Sequence, residues 1–344
     1  MLFRSRGRVK RVAVAIPDIC ACDNLACAFY QAAAGKRDSS AVRAFAKEFD
    51  AMVARTADRI TRLDFPVSDL RRFVIHDPKR RTIHAPCFED RVIHHAVMNL
   101  AGPVLDRAMT DYTFACRKGK GVHAAVRQVQ AYLRRYQWYV KIDIENYFAT
   151  VDHNRLLSLL SRKFKGKPFL SLLEKIVTAY HARPGKGLPI GTLTSQHFAN
   201  FYLDRLDRFV MESCRARACV RYMDDMIFWC DTKAGAGLLL KKVRRFVETP
   251  LLLTVKNSQV QIQKSNCGVL FCGYRIYPGV IRLSQRKKRR YTRLRKKWEQ
   301  WFAHGMISES ELARGYDAFS ASLRHADSRQ WRKLQLKKSG APVW

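Results

Sequence analysis

Three aspartates stand at positions where carboxylates are costly. Asp143 closes the run Trp138-Tyr139-Val140-Lys141-Ile142, and Asp224-Asp225 interrupt the apolar stretch from Arg221 to Trp229. Carboxylates between hydrophobic strands resist desolvation, and adjacent ones repel. Pairing with Arg or Lys is one way to hold them there. A divalent cation explains them better, because Mg2+ prefers oxygen and is usually held by one or two carboxylates plus substrate phosphates. Two ions about 3.5–4 Å apart activate a 3′-hydroxyl and stabilise a leaving pyrophosphate oxygen. The chemistry expected of Asp143, Asp224 and Asp225 is therefore nucleotidyl transfer with two Mg2+ ions, Mn2+ being a substitute. Asp225 is also expected to shape the turn.

Strands must position these acids. Trp138–Ile144 reads as a buried strand ending on Asp143, and Cys219–Cys230 as strand, tight turn and strand. Before them, residues 1–38 read as irregular and basic. Ser39 or Ser40 caps a helix to about Leu63, and Phe73–Ile75 and Thr82–His84 read as short strands. Helices are expected over Phe88–Leu100, Val122–Arg135, His153–Phe164, Phe169–Tyr180, Ser195–Met211 and Lys233–Glu248. Leu251–Leu283 alternates like strands, and from Ser284 the chain reads as basic helix. Hairpins mixed with helices predict α+β lobes, not a doubly wound sheet. His94 and His95 are neighbours on a helix and diverge, so packing and RNA contact are expected of them and not a metal site.

Lys and Arg number 64 against 29 Asp and Glu, a formal charge of +35. Such a surface calls for a polyanion, and nucleic acid is the first candidate. No apolar run approaches the ~20 residues of a membrane-spanning helix. The basic, briefly apolar start is broken by Pro17 and Asp18, unlike a signal peptide. The ten cysteines show no C-x2-C pair and predict buried, reduced thiols in a cytoplasmic protein.

Tyr222-Met223-Asp224-Asp225 resembles the YxDD box of reverse transcriptases, and Asp143 with Phe148 five residues on resembles their first palm motif. Phe271-Cys272-Gly273-Tyr274 looks like their primer-grip turn. Leu188-Pro189-Ile190-Gly191-Thr192-Leu193-Thr194-Ser195-Gln196 is similar to the LPIGNLTSQ motif of diversity-generating retroelement reverse transcriptases. Arg91–Ala96 and Phe114–Gly121 also fit that group. Group II intron and retroviral enzymes usually carry Gln-Gly-x-x-x-Ser-Pro at that place. Retron enzymes carry NAxxH and VTG strings that this chain lacks.

The resemblance implies a right-hand polymerase of fingers, palm and thumb. Residues 1–70 would be an N-terminal extension with a helix, 71–140 fingers and 141–154 the first part of the palm. Residues 155–189 would be an insertion, 190–283 the rest of the palm and 284–344 a basic helical thumb. It implies an RNA-directed DNA polymerase, bacterial or phage-encoded, that copies a template-repeat RNA into cDNA from dNTPs, with errors at template adenines. A small accessory variability protein, a helical oligomer, is the implied partner. The alternatives are a retron or group II intron-like enzyme and, from another class, an inactive RNA-binding scaffold.

Residue by residue, Phe148 is expected beneath the incoming sugar, where a flat ring excludes a 2′-hydroxyl; core packing is its other reading. Arg81, with Lys79, matches a finger pattern that meets the triphosphate, to which a guanidinium donates two hydrogen bonds. Lys256 is either a general acid or a plain phosphate contact. Ile190, Gly191 and Gln196 belong to the loop expected to face the nucleotide. Many relatives place Gln at Ile190, and isoleucine removes that polar check on base choice. Arg117, Lys118 and Lys120 are expected at RNA phosphates, as are Arg286, Lys287, Arg289 and Arg290 of a helix basic on nearly every face.

Overall fold

The computed structural model describes residues 10–66, 69–76, 80–321 and 323–337. The chain forms two compact units by repeated exchange. One holds residues 1–116, 144–209 and 243–256; the other holds 117–143, 210–242 and 257–344. The chain passes from the second to the first directly after Asp143.

The first unit is mostly helical. Where an irregular start was expected, two helices form, Ile16–Cys20 and Cys22–Ala33. Ile19, Leu25, Ala28, Phe29 and Ala32 are buried on one face, a spacing the basic flanks obscure. Pro17 sits in the first turn, where no amide donor is needed. Asn24 donates to the Ala96 carbonyl at 3.1 Å and Arg91 Nη2 to the Ala32 carbonyl at 2.8 Å, stitching these helices to Phe88–Ala108. That helix outruns its expected end at Leu100, continuing through Pro103 because Ala101 and Leu105 keep its buried face. Ser39 does cap a helix, accepting from Val42 N at 3.4 Å, but the element breaks at Glu48 into Ser40–Lys47 and Phe49–Arg62.

The paired histidines diverge as expected. The buried His94 ring lies 2.9 Å from Thr194 Oγ1 and is pushed down to about 4, first by burial and then by His95. His95 meets Gln31 at 3.2 Å. Arg71–His76 and Arg80–Ala85 pair as an antiparallel hairpin. Lys79 lies outside the described residues.

The second unit is built on a four-stranded antiparallel sheet. Its order is Ala218–Tyr222, Asp225–Cys230, Trp138–Ile142, Gln261–Lys264. Tyr139, Val140, Ile142, Val220, Ile227, Phe228 and Trp229 are all buried. Burial on both faces explains why these strands read as continuous apolar runs instead of alternating. Helix Val122–Arg135 has its expected bounds and buries Ala125, Val126, Val129 and Leu133. A three-stranded sheet follows, Val269–Phe271, Tyr274–Ile276 and Ile281–Leu283, with the middle strand central. The segment from Leu251, expected as strand, instead contributes one bridge, Val255 to Ile144 in the first unit.

The basic end of the chain folds as Gln285–Ala303, Glu309–Ala321 and Arg329–Lys337. Its first helix turns one face inward, and even that face includes a basic residue, Arg295. Tyr291 packs against Phe319 and Trp331, and buried Arg295 donates to the Gln335 carbonyl. None of the ten cysteines, all among the described residues, is in a disulfide. Cys219 and Cys230 are buried as expected, but Cys22, Cys27, Cys116 and Cys267 are exposed. Among the described residues no helix is long and apolar enough to cross a membrane.

Candidate active site

Tyr222 pairs with Asp225, leaving Met223 and Asp224 as the two turn residues. Met223 adopts a left-handed φ of 56°. Arg221, fully buried, donates to the Met223 carbonyl at 3.3 Å and braces the turn from below. Asp143 follows Ile142, whose register partner is Met226, so both acidic segments emerge at one end of the sheet.

Lys141 completes the group. Its side chain is only 8 % exposed, and its Nζ lies 3.1 Å from Asp225 Oδ1. The same ammonium donates to the Leu270 carbonyl at 2.7 Å and stands 5.9 Å from the Phe271 ring centre. Burial pushes the Asp225 carboxyl up to about 6. Lys141 opposes that shift, while Asp143 and Asp224 add to it. Asp143 and Asp224 therefore repel the Asp225 carboxylate, and a cation would relieve that repulsion. Among the described residues no three His, Cys, Asp or Glu side chains form a cage that could hold an ion unaided. Asp143, Asp224 and Asp225 offer oxygen donors, the ligand type that hard divalent cations take. Sequence reasoning passed over Lys141; the available signal was a lone charge inside Trp138–Ile142.

A second hairpin stands beside Lys141. Phe271 pairs with Tyr274 around Cys272 and Gly273, whose φ angles are 47° and 80°. A Cβ on Gly273 would lie 2.8 Å from Lys287 Cε. Lys287 is half-buried, with its ammonium 3.7 Å from the Tyr274 ring centre. Arg286, Arg289 and Arg290 are exposed on the same helix. In the loop before Val122, Lys118 is exposed while Arg117 and Lys120 are half-buried.

The first unit assembles the residues expected around a nucleotide. Leu188 N donates to the Phe148 carbonyl at 2.7 Å, and His84 N to the Ile190 carbonyl at 2.8 Å. The loop carrying Ile190 is thus bonded both to the turn carrying Phe148 and to the strand carrying Arg81. Gly191 has φ 131°, and a Cβ there would lie 2.8 Å from Ile83 Cγ2 and 2.9 Å from the His84 carbonyl. Only glycine lets loop and strand approach so closely. Phe148 and Ile190 are half-buried, and Arg81 is exposed. Thr192 caps helix Leu193–Arg208, accepting from Ser195 N at 3.4 Å. Gln196, exposed in its first turn, accepts from Cys116 Sγ at 3.3 Å. Lys256 is half-buried one residue after Val255, and Glu145 N donates to the Thr254 carbonyl at 2.8 Å.

An antiparallel sheet with carboxylates at one end, followed by a second hairpin and a helical basic segment, belongs to the right-hand polymerase class. The chain is a member of the reverse transcriptase (RNA-dependent DNA polymerase) family, whose pattern matches residues 76–276. It is similar to Protein YkfC of Escherichia coli K12, 25% identical over 260 residues, covering 63% of this chain and 66% of that protein. It is also similar to the group II intron-encoded protein LtrA of Lactococcus lactis subsp. cremoris, 28% identical over 141 residues, covering 39% of this chain and 23% of that one. The chain thus spans just under two thirds of the first relative's length and about a quarter of the second's. Among solved structures, the apo telomerase of Candida tropicalis aligns at 11% identity and TM-score 0.47, over 69% of this chain and 53% of that one.

Proposed function

We propose that this chain copies RNA into DNA by adding dNTPs to a primer 3′-hydroxyl. The observation that carries this reading is the placement of Asp143 and the Asp224-Asp225 turn together at one end of a buried sheet. Two bound Mg2+ ions, or Mn2+ in their place, would supply activation of the hydroxyl and stabilisation of the leaving pyrophosphate. Asp143 and Asp224 hold them, and Asp225, braced by Lys141, is the third ligand. Phe148 screens the sugar, and Arg81, Lys79 and Lys256 meet phosphates. Ile190, Gly191 and Gln196 face the nascent pair, while Phe271 to Tyr274 grip the primer. Arg117, Lys118, Lys120, Arg286, Lys287, Arg289 and Arg290 contact the RNA backbone. Residues 71–140 would form the fingers, 141–154 and 190–283 the palm, and 284–344 the thumb. Incorporation of dNTPs on a primed RNA with Mg2+ tests this; incorporation no higher than an Asp224→Ala control favours an inactive scaffold.

The finer reading is a diversity-generating retroelement enzyme working in a bacterial or phage cytoplasm with a template-repeat RNA and an accessory variability protein, in mutagenic retrohoming. The loop Leu188–Gln196 supports it. Ile190 gives its carbonyl to His84 and has no side-chain polar group with which to check a base. Replacing Ile190 with Gln should lower misincorporation opposite template adenines; an unchanged error spectrum in sequenced cDNA would sink the idea. The similarity to the group II intron-encoded protein favours a second reading, an intron-type enzyme. Near-identical repeats differing at adenines beside the coding sequence decide for the first.

A further inference from the structure

The second unit carries a basic pocket apart from the carboxylates. Its volume is about 390 Å3. One wall is the face of helix Val122–Arg135 that bears His123, Arg127, Gln130 and Arg134, a spacing that repeats on one side of a helix. The opposite wall is the turn carrying Arg324 and His325. The two imidazoles stack with ring centres 3.5 Å apart and planes inclined by 23°.

The pocket is arranged in advance. Arg134 Nε donates to the Pro278 carbonyl at 2.5 Å, which fixes the guanidinium and leaves its outer nitrogens to donate elsewhere. Gln130 Nε2 donates to the Tyr277 carbonyl at 3.3 Å. The lining contains one acid, Asp327, and it is already engaged, accepting from Ile281 N at 2.8 Å. His123 Nδ1 is shielded from solvent and has no hydrogen-bond partner. Its ring is held below the usual histidine range by burial, then by His325, Lys287 and Arg127. With Arg127, Arg134 and Arg324 against the single carboxylate of Asp327, the lining is net positive.

We infer that this pocket is an auxiliary site for the phosphate of a nucleic-acid strand, held by Arg127, Arg134 and Arg324 with the stacked His123–His325 pair as its floor. The ligand class follows from the lining. Planar guanidiniums on two walls suit phosphate oxygens, the cavity is too small for a protein element, and the imidazole stack offers a flat surface. A free nucleoside triphosphate shares this chemistry. A strand is favoured because Arg127 and Arg324 are exposed at the edges of the pocket, where the backbone can continue outward.

The inference rests on the reading that the chain binds RNA, and a binding experiment separates the two. Labelled single-stranded RNA would be titrated by anisotropy against the full chain across a salt series, without dNTPs or metal. Arg127→Ala and His325→Ala should each weaken Kd about three- to tenfold, and Arg127→Ala should flatten the salt slope by about 0.7. Arg127→Lys should recover part of the loss. Lys233→Ala, which removes an exposed charge outside the pocket, is the control. Equal losses at Arg127 and Lys233 mean diffuse charge alone and overturn the site, as does unchanged binding by Arg127→Ala. Binding of labelled dGTP that depends on Arg127, with RNA binding independent of it, overturns the strand as ligand. Failure of the unmodified chain to bind RNA at all would instead overturn the functional reading beneath it.

Discussion

Two hairpins of the second unit solve the same problem differently. Both close on two residues, Met223-Asp224 in one and Cys272-Gly273 in the other. In the second, both turn residues have positive φ, the pattern that matches the twist of paired strands and ends well on glycine. In the first, only Met223 is left-handed, and Asp224 takes the place beside it. A left-handed L-residue costs about 1–2 kcal/mol. The acid hairpin bears that strain while presenting carboxylates, with Arg221 and Lys141 bracing it from beneath. The other hairpin is backed by Lys287 packed against its glycine. Each turn thus carries one left-handed L-residue, Met223 in the first and Cys272 in the second, and only the first presents carboxylates. Lys141 joins the two turns, since one ammonium serves both Asp225 and the Leu270 carbonyl.

The largest expected effect tests what the acid turn is for. Asp224→Ala should lower dNTP incorporation by a factor on the order of 10³ while leaving the far-ultraviolet spectrum intact. Near-normal incorporation would mean that Asp224 only shapes the turn. Next is Lys141→Met, which keeps the volume and removes the charge. It leaves the Asp225 carboxylate and the Leu270 carbonyl without their shared donor. A loss of about 10- to 100-fold in turnover is expected, as for groups that support metal ligands, with about 1–3 kcal/mol lost from unfolding stability. If stability falls and turnover holds, Lys141 is a structural tie and nothing more.

A smaller pair of effects should differ in sign between the hairpins. Gly273→Ala introduces a Cβ 2.8 Å from Lys287 Cε at a φ of 80°, so denaturant midpoints should fall by the equivalent of about 1–2 kcal/mol. Met223→Gly removes the left-handed penalty and should stabilise by up to about 1 kcal/mol, offset by glycine's greater freedom when unfolded. A destabilised Met223→Gly would show that side-chain packing, not backbone strain, dominates that turn.

How much of this was legible depends on how local the signal was. The acid hairpin announced itself because two carboxylates break a run of apolar residues, and helices Val122–Arg135 and Lys233–Glu248 matched their expected bounds. The N-terminal helices were hidden because their buried face is built from Ala28, Ala32 and Ala33 as much as from Leu25 and Phe29. Alanine gives little hydrophobic contrast, and only packing on Phe88–Ala108 reveals it. Glu48 breaks a helix that periodicity alone would continue. The role of Lys141 was hidden because its partners Asp225 and Leu270 are far away in sequence. The stacked His123 and His325 are farther apart still. The two backbone bonds that tie the Leu188–Ile190 loop to Phe148 and His84 carry no side-chain signature.

The smallest effect concerns Lys287 behind the second hairpin and separates charge from packing. Burial, with Arg286 and Arg290, brings Lys287 down to about 8, and the Cys272 thiol partly opposes this. The ammonium also faces the Tyr274 ring, and His123 lies within its field. Between pH 7 and 9 the folded chain should therefore shed this proton while the unfolded chain keeps it. A lysine lowered in the fold destabilises while both states are charged, and that penalty fades as pH rises through about 8 towards the unfolded value. Stability should thus rise slightly from pH 7 to 9, an effect reduced by solvent screening because the side chain is only half-buried. Affinity for a primed RNA should move the other way, weakening a few-fold as a cation beside the primer is lost. Lys287→Arg stays charged and should show neither trend. If Lys287→Arg loses affinity with pH as steeply as the unmodified chain, the titrating group lies elsewhere and the second hairpin's backing is packing alone.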